Sequence, residues 1–286
     1  MKPVWIALTV IAAAGMLYGR KRQKAGAVGG TQLTVICGVL VIVFALANLF
    51  SGGNTAARER RKIEAAYQRI AAEKLGSYLA SEKDVAKAIV LVAPGRTDSS
   101  GTEIQLGGLR KGFGEKAEIV EVITPKISDK KYEKLKKHYL GEDVERPSGN
   151  RGTPENKGAS SDFRISDLPP QKWYTAQSVD NAVAPYLDRV DVIVSCLGLP
   201  QDAATMQTLT ESHAPPFALL RGSIHEHKNT IRQGRITAAV TYVPDPQNGK
   251  PKRPSKDLDK AFSRRYLLVT SENVEEMADD YESLFQ

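Results

Sequence analysis

The sequence predicts an α/β protein in which an N-terminal transmembrane helical hairpin precedes a doubly wound, mainly parallel sheet of about six strands. Three observations carry this. Leu33 to Phe50 is an eighteen-residue run without a charge. Six further apolar runs have the length of strands, and most end at proline or a polar turn. Segments of helical composition separate those runs, the alternation from which parallel sheets are built.

Leu33 to Phe50 reads LTVICGVLVIVFALANLF, and twelve of its eighteen residues are Leu, Ile, Val or Phe. As a helix it spans roughly 27 Å, close to a bilayer core. Its large apolar residues favour insertion by about 4–7 kcal/mol. Val4 to Tyr18 is shorter and richer in alanine. A signal peptide would carry its basic cluster before the apolar run, whereas Arg20, Lys21, Arg22 and Lys24 come after it. A first membrane helix fits better, with helices near 4–18 and 33–50 making an anchor over 1–53. Charge does not decide the orientation, because Arg58, Arg60, Arg61 and Lys62 oppose the loop cluster.

The net charge of +7 is concentrated in these flanks and in Lys126 to Lys137. Anionic headgroups account for the juxtamembrane clusters, and no nucleic-acid-binding motif is present. The bilayer is thus the first expected partner, and nucleic acid is not one. The two cysteines, Cys37 and Cys196, lie in separate apolar runs, so no disulfide framework is expected. Four scattered histidines and two cysteines make no structural zinc site. No metal and no cofactor is predicted.

Asn54 to Ala80 has helical spacing of Ile63, Ala66, Tyr67, Ile70 and Tyr78, with many charges. It is read as a helical stalk or linker over 54–83, the alternative being a helix packed on the sheet. The α/β domain then covers 84–286. Its strands are expected at 86–93, 118–124, 190–199, 216–220, 236–243 and 266–270, nearly continuously apolar and therefore buried on both faces. Helices are expected at Glu103 to Phe113, Ala176 to Asp188, Asp202 to Ser212, His225 to Gly234 and Asn273 to Phe285. Two stretches, 141–170 and 244–255, are rich in Gly, Pro, Ser, Asn and charge, and read as exposed loops.

In an open parallel sheet ligands sit beyond the carboxyl ends of the strands. The loop after the first strand offers Arg96, Thr97, Asp98, Ser99 and Ser100 to an anion at a helix start; an ordinary polar loop is the plainer alternative. No Walker or Gly-x-Gly-x-x-Gly pattern is present. After the third strand Asp202 suits a helix cap, leaving Gln201 as the ligand candidate. After the fourth, Arg221 would face Arg96 across a basic pocket for a carboxylate or phosphate, unless it makes a surface salt bridge. His225 and His227 do not converge on a helix. Cys196 reads as core, and Ser195 lacks a nucleophile elbow. Trp173 and Tyr174 either anchor a partner or pack the base of the 141–170 loop.

The run Asp191-Val192-Ile193-Val194-Ser195, preceded by an amphipathic helix, resembles the third strand of type I periplasmic binding proteins. Pro215-Pro216-Phe217-Ala218 resembles the strand that follows, Ile89 to Val92 the opening one, and Ala117 to Ile123 the second. The resemblance covers one lobe, roughly Lys87 to Val243; a second lobe is missing or much reduced, and a double anchor replaces the cleaved signal. It implies a Rossmann-like binding or scaffolding domain, exported and held at a bacterial inner membrane. The partner would be a small anionic ligand or a protein in a membrane complex. A structural subunit with an empty pocket is the alternative. An enzyme is not expected, for want of a recognisable catalytic constellation.

Overall fold

The computed structural model describes the backbone of residues 2–25, 30–93, 100–127, 129–140, 172–244 and 253–285, and within these the side chains of all but 2–10, 30, 33, 44–56, 100 and 138–140. The stretch 141–170 and most of 244–255, expected as exposed loops, lie outside the described residues. The chain divides into two units, Met1–Glu64 and Ala65–Gln286.

The first unit consists of α1 (Lys2–Lys24) and the start of α2 (Gly30–Glu82). Both expected helices form, and both run past their apolar stretches. α1 takes in its basic cluster, and α2 runs unbroken through Gly52 and Gly53. The two helices meet where small residues permit it: a Cβ on Gly15 would stand 2.8 Å from Cys37 Sγ. Elsewhere the apolar side chains face outward. Val35, Ile36, Ile42 and Val43 are half or more exposed, as are Ile11 and Leu17. Among the described residues no helix is long and apolar enough to cross a membrane. The expected spans at 4–18 and 33–50 are described only in part, since Val4 to Val10, Leu33 and Phe44 to Phe50 fall among the side chains left out.

In the second unit a six-stranded sheet has the order β2-β1-β3-β4-β5-β6. Its strands are β1 (Lys87–Leu91), β2 (Glu118–Ile123), β3 (Val192–Ser195), β4 (Phe217–Leu219), β5 (Ile236–Tyr242) and β6 (Tyr266–Thr270). The first five are parallel and β6 is antiparallel to β5. The expectation of a mainly parallel sheet of about six strands thus holds. Asp191 sets the register at the amino edge, its carboxylate accepting the N–H groups of Ala86 and Lys87 at 2.9 and 2.8 Å.

Right-handed crossovers decide which face each helix covers. β1 to β2 runs one way along the sheet and the later connections run the other. So α3 (Ser100–Phe113) lies on one face, and α5 (Ala176–Val183), α6 (Gln207–Thr210) and α7 (Lys228–Arg232) lie on the opposite face. On that second face Ile89, Leu91, Ile193, Phe217, Leu219, Ile236 and Val269 form one core with Val179, Val183, Ile231 and Val274. Burying each such side chain contributes about 1.5–3 kcal/mol.

The stretch read as a stalk or linker joins the packed domain from Ala65 on. Ala72, Leu75 and Leu79 are fully buried. The charges sit on the outer side, while the Tyr67, Ala71, Leu75 and Leu79 stripe faces inward at helical spacing. Gly108 and Gly112 bring α3 against it backbone to backbone. A Cβ on Gly112 would stand 2.2 Å from Glu73 O, and one on Gly108 2.5 Å from Arg69 O. Lys111 reaches Glu73 at 2.7 Å across the same seam.

Several expected helices are shorter and broken. Ala176 to Asp188 is α5 followed by a 3-10 turn over Ala184–Arg189, because Pro185 lacks the N–H that would continue the α-helix. Asp202 to Ser212 is a 3-10 turn, Ala203–Thr205, then α6, with extended Met206 between them. The remaining α-helices are α4 (Asp129–Leu140), α8 (Leu258–Ser263) and α9 (Val274–Asp280).

Candidate functional site

The chain leaves β1 toward β2 on one side and returns to β3 on the other, so the sheet reverses direction between β1 and β3. The loops beyond the carboxyl ends there are where an open sheet receives a ligand. Two of them are tied together. Gly198, after β3, has φ +78° and Gly222, after β4, has φ +117°. A Cβ on Gly222 would stand 2.7 Å from Gly198 Cα, so the two loops cross at contact distance. The β3 loop is closed from below: Ser195 Oγ donates to Gly198 O at 2.6 Å and accepts from Leu197 N at 3.2 Å. Tyr174 OH donates to the same carbonyl at 3.3 Å. The Ser195 hydroxyl is therefore a structural fastener. Burial pushes the Cys196 thiol up to about 12, with Arg221 pulling weakly the other way, and it pushes the Tyr174 phenol up as well.

Beside this crossing lies a cavity of about 390 Å³, within the size range of small-molecule sites. Its lining comes from three layers: Gln68 and Ala71 of α2, Gln105 of α3, and the carboxyl edge of the sheet with Leu220, Arg221, Gly222, Thr241, Tyr242 and Tyr266. Arg221 is exposed, and its guanidinium makes no ion pair with a described residue. Arg265 lies over the rings of Tyr67, Tyr242 and Tyr266 at 4.9–5.9 Å, which stiffens the aromatic wall. The cavity can offer a bidentate cation, two amides and a hydroxyl to one ligand between tyrosine rings, a donor set suited to a carboxylate or phosphate.

Of the described residues singled out as site candidates in the sequence, Arg221 alone lines this cavity. Arg96, Thr97, Asp98 and Ser99 lie outside the described residues, and so does the expected pairing of Arg96 with Arg221. Ser100 is the first residue of α3, with its side chain not described. Gln201 stands on an exposed turn and lines neither cavity described here. Asp202 does not cap the helix that follows it; its carboxylate accepts from Ala176 N at 2.8 Å at the start of α5. Asp180 supplies the missing cap to α6, accepting from Gln207 N and Thr208 N at 3.0 and 3.1 Å. His225 and His227 occupy a 3-10 turn, and among the described residues no group of three or more His, Cys, Asp or Glu is arranged to hold a metal ion.

Sequence reasoning missed Gln68, Gln105, Tyr242 and Tyr266. Tyr242 closes β5 and Tyr266 opens the antiparallel β6, so both fall on one edge of the sheet. The antiparallel turn of the last strand is what brings Tyr266 there, and the apolar run alone carries no sign of direction.

A second cavity, of about 420 Å³, opens beside the end of β2. Lys126, Ile127, Lys131, Trp173, Thr175, Gln177, Ser178 and Asn181 line it. Trp173 and Tyr174 are buried and pack the start of α5 onto the core. The indole N–H of Trp173 is buried and has no hydrogen-bond acceptor among the described residues. The Thr175 and Ser178 side chains are spent on the helix cap, each accepting a backbone N–H of the other residue.

No family model matches this sequence, and no curated protein matches it. Among solved structures the chain is similar to AraP, an arabinose-binding protein from Geobacillus stearothermophilus, at 12% identity and a TM-score of 0.39. The match covers 73% of this chain and spans 62% of the length of that one.

Proposed function

We propose that this chain is a binding protein held at a bacterial inner membrane, with an α/β domain on the periplasmic side that takes a small anionic ligand at the carboxyl edge of its sheet. The observation that carries this reading is Arg221. It stands at the carboxyl end of β4 in a cavity of about 390 Å³, beside Gln68, Gln105, Thr241 and two tyrosines, with no described carboxylate paired to it. A guanidinium so placed binds a carboxylate or phosphate through paired N–H donors. Recognition rather than catalysis fits the edge, where the Ser195 hydroxyl is engaged by Gly198 and the Cys196 thiol is held protonated by burial.

The anchor is supported by the uncharged run Leu33 to Phe50 and by the outward-facing Ile11, Leu17, Val35, Ile36, Ile42 and Val43. Water-exposed apolar surface of this kind marks contact with a membrane or a partner. Close approach at Gly15 is the way helices pair in lipid. Labelling of Ser255→Cys but not Gly26→Cys in intact cells by an impermeant thiol reagent, with Cys37 and Cys196 replaced, is the expected topology.

The ligand test is a thermal-shift screen of the full chain in mild detergent against two- to six-carbon mono- and dicarboxylates and sugar phosphates. At least one compound is expected to raise the melting temperature of the native chain and not that of Arg221→Ala. Shifts that survive the substitution would remove Arg221 from the role.

A further inference from the structure

We propose that the cavity beside β2 is a second binding site, separate from that of Arg221, and that it takes a phosphate group. Two lysines from consecutive elements converge there: Lys126 just beyond β2, and Lys131 in the first turns of α4. Neither makes an ion pair with a described carboxylate, and no Asp or Glu lines the cavity. Gln177 and Asn181 stand one helical turn apart on the same side of α5 and add amide donors. The lining thus carries two cations and no anion.

The second, independent observation is the buried indole of Trp173. The residue is 1% exposed, belongs to the cavity wall, and holds a buried N–H that has no acceptor among the described residues. Every other buried side-chain donor or acceptor among the described residues is satisfied. Buried polar groups in native proteins find partners, and a ligand oxygen at the inner wall of this cationic cavity would supply the acceptor that the indole lacks. Lysines bind phosphate as point charges, without needing the planar match that carboxylate recognition draws from arginine. A phosphate group has oxygens enough for both ammonium groups, an amide and the indole together. A cavity of about 420 Å³ leaves room for a small organic portion on that phosphate.

Trp5 and Trp173 are the two tryptophans of the chain, so Trp5→Phe leaves Trp173 as the single fluorophore. The full-length Trp5→Phe chain in mild detergent is titrated with inorganic phosphate, with sodium chloride at matched ionic strength as the blank. A saturable change in Trp173 emission with phosphate and none with chloride is expected. Adding Lys126→Ala and Lys131→Ala is expected to weaken it by about tenfold or more, with an unchanged circular-dichroism spectrum showing that the domain is folded. Arg221→Ala is expected to leave it unaltered, which keeps this site distinguishable from the one proposed above. Trp173→Phe keeps the ring and removes the N–H, and calorimetry is expected to show weaker phosphate binding. A parallel titration with dihexanoyl phosphatidic acid separates the sources: tighter binding of the lipid assigns the phosphate to a headgroup, and tighter binding of the free ion to a soluble ligand. No saturable response to either, or a response unmoved by loss of both lysines, would overturn the proposal.

Discussion

Gly198 and Gly222 touch backbone to backbone across the carboxyl edge of the sheet, and this contact sets the position of Arg221. Gly222 is in a conformation with φ +117° that side chains rarely adopt, and a Cβ there would stand 2.7 Å from Gly198 Cα. Gly222→Ala is expected to cost about 2 kcal/mol or more from strain and overlap together. Urea denaturation of the two chains measures it. A loss under about 0.5 kcal/mol, the range of ordinary surface substitutions, would mean that the two loops are free to separate.

Cys196 follows β3 directly and is buried. With its thiol pushed up to about 12 by burial, it holds almost no thiolate at neutral pH. In a Cys37→Ala chain it is expected to react with a thiol reagent only as urea unfolds the domain, with a midpoint matching the loss of circular dichroism. Prompt labelling in buffer would show that the edge opens.

Arg235 gathers the backbone around α6. Its guanidinium donates to the carbonyls of Thr208 at 2.8 Å, Leu209 at 3.0 Å and Ala214 at 3.0 Å. Arg235→Ala is expected to destabilise the domain by about 2–3 kcal/mol, since it removes charged donors and leaves carbonyls without partners. Thermal unfolding of the variant gives the value.

Glu272 accepts from Tyr78 OH at 3.0 Å and pairs with Lys83. The lysine, then Thr270, hold its carboxyl down to about 2, against an ordinary value of 4.5. Because the folded value is the lower one, the pair's contribution is complete above pH 4.5 and disappears as the pH falls toward 2. The carboxylate is 58% exposed, so solvent limits the effect to about 1 kcal/mol or less. Glu272→Gln is expected to flatten the stability profile across that acid window: it loses up to about 1 kcal/mol at neutral pH and converges with the native chain near pH 2.

Strand runs were legible because burial on both faces leaves an unbroken apolar signature, as in Ile89 to Leu91 and Val192 to Val194. The direction of β6 was not, since Tyr266 to Thr270 reads the same either way. Helix ends were misplaced where tertiary contacts overrule local pattern. Asp202 has the composition of a cap for α6, yet the cap comes from Asp180, twenty-seven residues from Gln207. The charges of 54–83 suggested a stalk, and the inward stripe from Tyr67 to Leu79 overrides them from Ala65 on. Arg221 was legible as a basic residue at a strand end. Its companions Gln68 and Gln105 were not, because the Gly108 and Gly112 seam that seats α3 on α2 joins residues far apart in the chain.

The central claim is that Arg221 binds an anion. Its most direct measurement is calorimetric titration of the strongest compound from the carboxylate and phosphate screen into the native chain, Arg221→Lys and Arg221→Ala. Binding is expected to fall by about tenfold or more in Arg221→Ala, with Arg221→Lys between the two, because a lysine keeps the charge and loses the paired donors. Equal affinity in all three chains would contradict the account and place the ligand, if the domain takes one, away from this edge.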